Sequence, residues 1–375
     1  MRIRRGAGAV ERGGLETVAR ASASWVRIPP PPLVGVKTGM HRWISPLLRR
    51  FGVEVVPTAR LYEWQKGLPS GGSSHNAAEL PPGAERYLRL DNPRLAELRT
   101  RYAVSPPEVT GSPLWSDDYV TPEQIRFFRG DNPYVWQLRG ENNNVLGYAL
   151  ARYYLLTIDE LGLLDKLDED DAFGSFSFVI GGKRVSRDLL DSINEISFLE
   201  RHLGLSTLDD CPILDIGAGY GRLAHRLLTA FPNVREYYCT DAVPISTFIS
   251  EYYLRYRGLQ DRAHVVPLDE IETTLQERRP RIAVNIHSFS ECSVAAIDWW
   301  VALLARSGVR HLLVVPNSAG QNGEVMLTND GHEISPIVAR HGYGLVVAEP
   351  KYLDPVVQTY ALNPTFYYLF ELANR

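Results

Sequence analysis

The run Ile213-Leu214-Asp215-Ile216-Gly217-Ala218-Gly219-Tyr220-Gly221-Arg222 constrains the fold more than any other part of the chain. An apolar stretch from Pro212 to Ile216 ends at glycine, and Leu223, Leu227 and Leu228 follow at helical spacing. The glycines therefore sit where a buried strand becomes a helix. A backbone that turns so sharply, and that lets a ligand come close, suits residues without a side chain. The helix that follows begins with unpaired N–H groups and a partial positive charge, suited to a ligand carboxylate. Such a junction predicts a nucleoside-cofactor loop.

The spacing selects among nucleosides. A dinucleotide fingerprint separates its last two glycines by two residues, whereas Gly219 and Gly221 are separated by one, and Asp215 stands just before the first glycine. A pyrophosphate has no use for an anion there. The ammonium of an amino acid does, directly or through water, and this favours S-adenosylmethionine over NAD. Glu236-Tyr237-Tyr238-Cys239-Thr240-Asp241 reads as a second strand. Its terminal acid lies roughly twenty residues beyond the glycines, where a ribose-hydroxyl ligand is expected. Asp215, Gly217, Ala218, Gly219, Asp241 and Ala242 are the cofactor contacts this half of the chain predicts.

Strand and helix patterns keep alternating. Ala263 to Pro267 and Arg281 to Ile286 read as a third and a fourth strand, Ala295 to Ala305 as a helix, and His311 to Val315 as a fifth strand. This alternation predicts an α/β fold whose parallel sheet is covered on both faces. Leu345 to Ala348 and Thr365 to Phe370 read as two closing strands, with Pro350, Pro355 and Pro364 in the loop between them.

The chain has 375 residues, 45% hydrophobic and 22% charged, enough for a large core plus an extension. A net charge of -4 gives no basic excess for nucleic acid. Cys211, Cys239 and Cys292 are odd in number and far apart, which predicts neither a disulfide framework nor a zinc site and fits a reducing cytoplasm. No apolar stretch approaches the roughly 20 residues of a membrane helix.

Residues 1–39 combine arginine, glycine and a proline run with no periodicity, and disorder is expected there. Trp25-Val26-Arg27-Ile28-Pro29 back-translates to the T-arm of a transfer RNA, so Met40 is expected to begin the genuine protein. Lys66 to Gly83 reads as a loop. Residues 40–184 are expected to be a mainly helical extension, with a helix start at Thr121-Pro122-Glu123, a helix through Val145 and Leu156, and a hairpin turn at Gly181-Gly182. That extension is expected to supply a lid or acceptor specificity, and the main domain to span residues 185–375. Trp115, Tyr119, Tyr134 and Trp136 could stack on a sugar ring, although packing is the better expectation.

Several strings carry a family resemblance. They are Glu169-Asp170 with Phe173-Gly174, Val185-Ser186-Arg187-Asp188-Leu189-Leu190-Asp191-Ser192-Ile193-Asn194-Glu195, the glycine loop, Asn285-Ile286-His287-Ser288-Phe289-Ser290-Glu291, and the region Tyr360 to Phe370. From about residue 130 to the end, the chain resembles a bacterial family of sugar O-methyltransferases. The resemblance implies a Rossmann-like, seven-stranded class I methyltransferase sheet with a C-terminal antiparallel strand pair. It also implies S-adenosylmethionine as donor, S-adenosylhomocysteine as product, and a sugar or glycosylated small molecule as acceptor.

In open α/β sheets ligands gather at the carboxyl ends of the strands, and the fourth strand delivers His287 to that edge. An imidazole is substantially neutral near pH 7, so His287 is the expected general base for an alcohol proton. Glu291 or Ser290 could orient its ring or bind a sugar hydroxyl, and Ser288 is expected at the cofactor. Asp269, flanked by Leu268, could accept from the adenine amino group; a helix-cap role fits it equally well. Asn194 or Glu195 could close over the methionine end, and Asn317 could face the acceptor. Ser186 or Asp188 reads as an N-cap, and His332 and His341 as surface residues. Asp168-Glu169-Asp170-Asp171 could hold a divalent metal, but a solvated acidic turn is the preferred expectation and no metal is predicted. A homodimer stays open. The rival readings are an NAD-linked oxidoreductase and a non-catalytic module that binds S-adenosylmethionine.

Overall fold

The computed structural model describes residues 80–111, 120–129, 145–208, 211–317 and 323–373, all within one compact unit. The expectations for residues 1–79, and for Trp115, Tyr119, Tyr134 and Trp136, lie outside the described residues. Helix α1 (Pro93–Tyr102) begins with proline, and the Asn92 side chain accepts from Arg94 N at 2.8 Å. Both are ordinary N-terminal signals. Its buried face is Leu95, Leu98 and Tyr102, and one further turn, α2 (Pro107–Thr110), buries Val109. The helix expected at Thr121 is corrected. Thr121 and Gln124 cap each other reciprocally, at 2.8 and 3.2 Å, but the chain continues as turns because Arg129 is drawn into the core, its N–H donating to Phe173 O.

Helix α3 (Val145–Ile158) forms as its periodicity predicts. The hairpin β1 (Ser177–Ile180) and β2 (Lys183–Ser186) turns at Gly181-Gly182, whose φ of 60° and 78° match the handedness a two-residue hairpin needs. Ser186 then caps α4 (Arg187–Leu203), its hydroxyl accepting from Leu189 N at 3.0 Å, so packing runs unbroken through residue 185.

The strand–helix alternation follows: β3 (Ile213–Ile216), α5 (Arg222–Ala230), β4 (Tyr237–Thr240), α6 (Pro244–Tyr256), β5 (Ala263–Val265), α7 (Ile271–Arg278) and β6 (Ile282–Ile286). The chain continues through α8 (Ser288–Glu291), α9 (Val294–Arg306), β7 (His311–Val315), α10 (Ser335–Arg340), β8 (Tyr343–Pro350), α11 (Pro355–Tyr360) and β9 (Phe366–Leu372). The seven strands lie in the order β5-β4-β3-β6-β7-β9-β8, and only β9 runs against the rest. This is the Rossmann-like seven-stranded sheet with a closing antiparallel pair that the sequence leads one to expect. Central strands β3 and β4 are buried at every position, as helices on both faces require. Among the described residues no helix is long and apolar enough to cross a membrane.

In the acidic run Asp168 is solvated, whereas Glu169 and Asp170 are held in ion pairs. Glu169 is fully buried, where it accepts from Arg129, from Ser186 and, at 2.8 Å, from Arg226. Asp170 accepts from Arg129 at 2.7 Å and from Arg257 at 2.5 and 3.0 Å. These arginines come from three separate segments, so the two carboxylates clamp the N-terminal chain to α5 and α6. The reason is charge balance: guanidiniums already occupy the lone pairs a metal or water would take. Burial alone would raise the Glu169 carboxyl, but Arg129 and Arg226 outweigh it and bring it down to about 2.

Glu169→Ala leaves buried guanidiniums uncompensated and is expected to cost about 3–5 kcal/mol in urea unfolding. Because the folded carboxyl titrates below its ordinary value of 4.5, its contribution is present above that pH and lost as pH falls towards about 2. An unchanged unfolding midpoint would remove the clamp from the fold's stability.

Candidate active site

The chain leaves β3 towards β4 and β5 on one side, then returns to lay β6 and β7 on the other. A crevice opens at this switch point, at the carboxyl ends of β3 and β6. Its walls carry Asp215, Gly217, Ala218, Gly219, Asp241, Ala242, His287, Ser288 and Glu291 together, along with Arg187, Asp188 and Arg222.

Close packing shapes the crevice. Gly217 has φ 71°, and a Cβ there would come within 2.1 Å of Ser288 Oγ and 2.3 Å of Ser288 Cβ. The glycine loop thus rests directly on the head of α8. Asn285, ending β6, ties the two together: its amide donates to Ile216 O at 2.9 Å and to Ser288 Oγ at 2.8 Å, while its oxygen accepts from Phe289 N at 2.9 Å. Gly221 precedes α5 and offers no side-chain cap, so the helix start faces the crevice without an internal anion.

Two carboxyls here lack a cation. Burial raises Asp215 to about 7, although Tyr237 donates to it at 3.0 Å. Burial likewise raises Asp241 to about 7, despite N–H bonds from Val243 at 3.0 Å and Gly219 at 3.1 Å. Across the crevice, Arg222 is already paired with Glu195 at 2.8 and 2.9 Å.

His287 follows β6 with φ 67°, a conformation uncommon outside glycine, and lines the crevice. Its Nδ1 is 3.1 Å from Pro316 O and its Nε2 is 3.3 Å from the Asn363 amide nitrogen. A carbonyl only accepts, so Nδ1 carries the proton and Nε2 the lone pair. Burial lowers this imidazole to about 3, and Arg187 acts in the same direction. It is neutral throughout the physiological range.

The remaining predicted residues have the following surroundings. Asp269 does not reach the crevice wall: Arg101 of α1 grips its carboxylate at 2.9 and 2.7 Å, and Leu268 is buried beneath. Ser290 Oγ accepts from Asn317 N at 3.0 Å, and the Asn317 amide reaches Glu291 at 3.4 Å. Asn194 donates to Lys351 O at 2.9 Å and so is spent on the fold. His341 and His332 pair with Asp298 and Asp330 away from the crevice. The N-terminal chain contributes a wall not foreseen from sequence: Val109 lines the crevice, and the Tyr102 hydroxyl donates to Asp241 O at 3.0 Å. No signal in the sequence places Val109 there, because it arrives through packing of α2 on α9. Among the described residues no group of three or more His, Cys, Asp or Glu could hold a metal ion.

No family model matches the chain, and no curated protein matches it. Among solved structures, it is similar to a SAM-dependent methyltransferase from Aquifex aeolicus, 13% identical, with 48% of this chain and 89% of that one covered at a TM-score of 0.37. It is also similar to a geranyl diphosphate methyltransferase in complex with SAM, 12% identical, with 49% and 86% covered at 0.37. A third is the [4+2]-cyclase SpnF, 15% identical, with 61% and 96% covered at 0.36.

A raised acid binds more protons in the folded state, so the ligand-free protein loses stability as pH rises from about 3.8 to about 7. Asp215→Asn should therefore raise the Tm at pH values above that window, by roughly 2–4 °C for each kcal/mol relieved. The gain should vanish in acid. Equal Tm values for the variant and the parent protein across that range, measured by differential scanning fluorimetry, would contradict the assignment.

Proposed function

We propose that this protein is an S-adenosylmethionine-dependent O-methyltransferase acting on a hydroxyl of a sugar or glycosylated small molecule. The observation that carries the reading is the meeting, on one crevice wall, of two cation-seeking carboxyls with an imidazole kept neutral. The donor supplies a methyl already activated as a sulfonium, and S-adenosylhomocysteine is the product. Asp215 suits its ammonium, the uncapped start of α5 its carboxylate, Asp241 its ribose hydroxyls, and Val109 with Val243 the flat apolar face of a purine. Ser288 and the glycine loop define the wall between them.

An alcohol is a poor nucleophile at neutral pH, so the chain must align it and take its proton. His287 Nε2 would accept that proton while Nδ1–H stays on Pro316 O, which favours the resulting imidazolium. Protonating His287 coincides with loss of the sulfonium charge, so the crevice keeps its net charge through the step. Glu291, which lines the same crevice, would bind a sugar hydroxyl. The sugar class rests on the family resemblance of the strings around Ser186 and Asn285. A small-molecule acceptor, with neither nucleic acid nor membrane as partner, accords with the chain's net charge of -4.

One observation favours a module that binds the nucleoside without turnover. The low proton affinity of His287, with Asn363 on its lone pair, makes it a weak base until a substrate displaces that amide.

The purified protein, given S-adenosylmethionine and a panel of sugar nucleotides and methyl glycosides, should release S-adenosylhomocysteine with at least one acceptor. His287→Ala should lower kcat by about 100- to 10,000-fold while leaving S-adenosylhomocysteine affinity within about twofold. Binding without product across the panel would favour the binding module instead.

A further inference from the structure

We propose that Asn363 is a positioning residue for His287, and that the loop carrying it, built around Lys351, holds the resting imidazole as the Nδ1–H tautomer, its amide keeping the Nε2 lone pair until an acceptor hydroxyl takes its place. This rests on the methyl-transfer reading of the crevice. The only two partners of the His287 ring among the described residues come from separate places in the chain, Pro316 O after β7 and the Asn363 amide between α11 and β9. Lys351 reaches both, through its ammonium and through its backbone N–H. Lys351 is 2% exposed; its ammonium donates to Asp191 at 2.5 Å, to Leu362 O at 3.2 Å and to Asn363 O at 3.3 Å. Its backbone N–H donates to Thr365 O at 2.8 Å, and the Thr365 hydroxyl donates at 2.7 Å to the same Pro316 carbonyl that receives His287 Nδ1–H. The loop therefore fixes the ring from both nitrogens.

Asn363 has φ 44°, a left-handed conformation that asparagine tolerates better than other side chains, and there its amide reaches His287. As a donor to Nε2, it does two things. It keeps the lone pair on that nitrogen, which excludes the other tautomer, and it opposes protonation of the resting ring. A buried ion pair such as Asp191–Lys351 is a poor source of stability compared with apolar packing. Setting the loop that aims a reacting group is a better account of it. The charged groups acting on the ring are Arg187 and Asp191 on α4, Arg222 on α5, and Lys351 itself.

The test uses the full chain without cofactor, with nitrogen and Cε1-proton NMR of His287 assigned by a His287→Gln control. Asn363→Gly keeps the left-handed backbone and deletes the amide; Asn363→Asp keeps the shape and replaces the donor with an acceptor. The parent protein should show one neutral Nδ1–H tautomer from about pH 5 to pH 8. In Asn363→Asp the titration midpoint should rise by about two units, because a carboxylate favours the imidazolium. In Asn363→Gly the Nε2 signal should shift as its lone pair loses the amide, while Pro316 O still holds Nδ1–H. With an acceptor, both variants should lose roughly 10- to 100-fold in kcat with little change in donor KM. His287 signals identical to the parent's in either folded variant would overturn the positioning role. The NMR arm needs no methyl acceptor, so a chain without transferase activity sinks the functional reading and leaves this result legible.

Discussion

The adjacency of β3 and β6 is the constraint on which the rest depends. These strands are separated by two strand–helix units in the chain, yet they pair from Ile213↔Ile282 to Ile216↔Asn285. Because the chain reverses its direction of growth between them, a crevice forms at their carboxyl ends. The glycine loop and His287 are brought together by that topology. Asn285 then converts adjacency into contact, since its amide bridges the last carbonyl of β3 to the first hydroxyl of α8. A side chain at residue 217 would break this contact before it touched any ligand.

Charge is distributed with a clear division of labour. Away from the crevice, the buried acids Glu169 and Asp191 are matched, by Arg129 and Arg226 and by Lys351, and the half-buried Asp170 is matched by Arg257. At the crevice, Asp215 and Asp241 are held by neutral donors alone. Removing a carboxylate from water without a cation costs stability. The fold tolerates that cost where a cationic ligand can remove it, a trade typical of binding sites.

Much of this was legible in the sequence where chemistry and periodicity act locally. The strand ends, the hairpin at Gly181-Gly182 and the cap at Ser186 follow from turn chemistry and apolar spacing. So does the cluster of Asp215, Asp241 and His287 at one edge, since an alternating pattern admits few topologies. What escaped were partnerships across long separations. Asp269 looks like a nucleoside ligand until Arg101, 168 residues earlier, is seen to hold it. Glu169 and Asp170 look like a solvated turn because their arginines lie 40 and 87 residues away. Asn363 lies within the Tyr360 to Phe370 string, but nothing in that string marks its contact with His287, which appears only when Lys351 folds the loop back. Local pattern cannot report which opposite charge arrives from elsewhere in the chain.

The central claim is that the crevice holds two protonatable carboxyls in wait for a cationic nucleoside amino acid. Isothermal titration calorimetry of S-adenosylhomocysteine near neutral pH, repeated in buffers of different ionisation enthalpy, measures this most directly. The account predicts binding with net proton release, because the ligand's ammonium must ionise an acid that titrates at about 7. Absence of binding heat from folded protein, or binding with no exchange of protons, would contradict it.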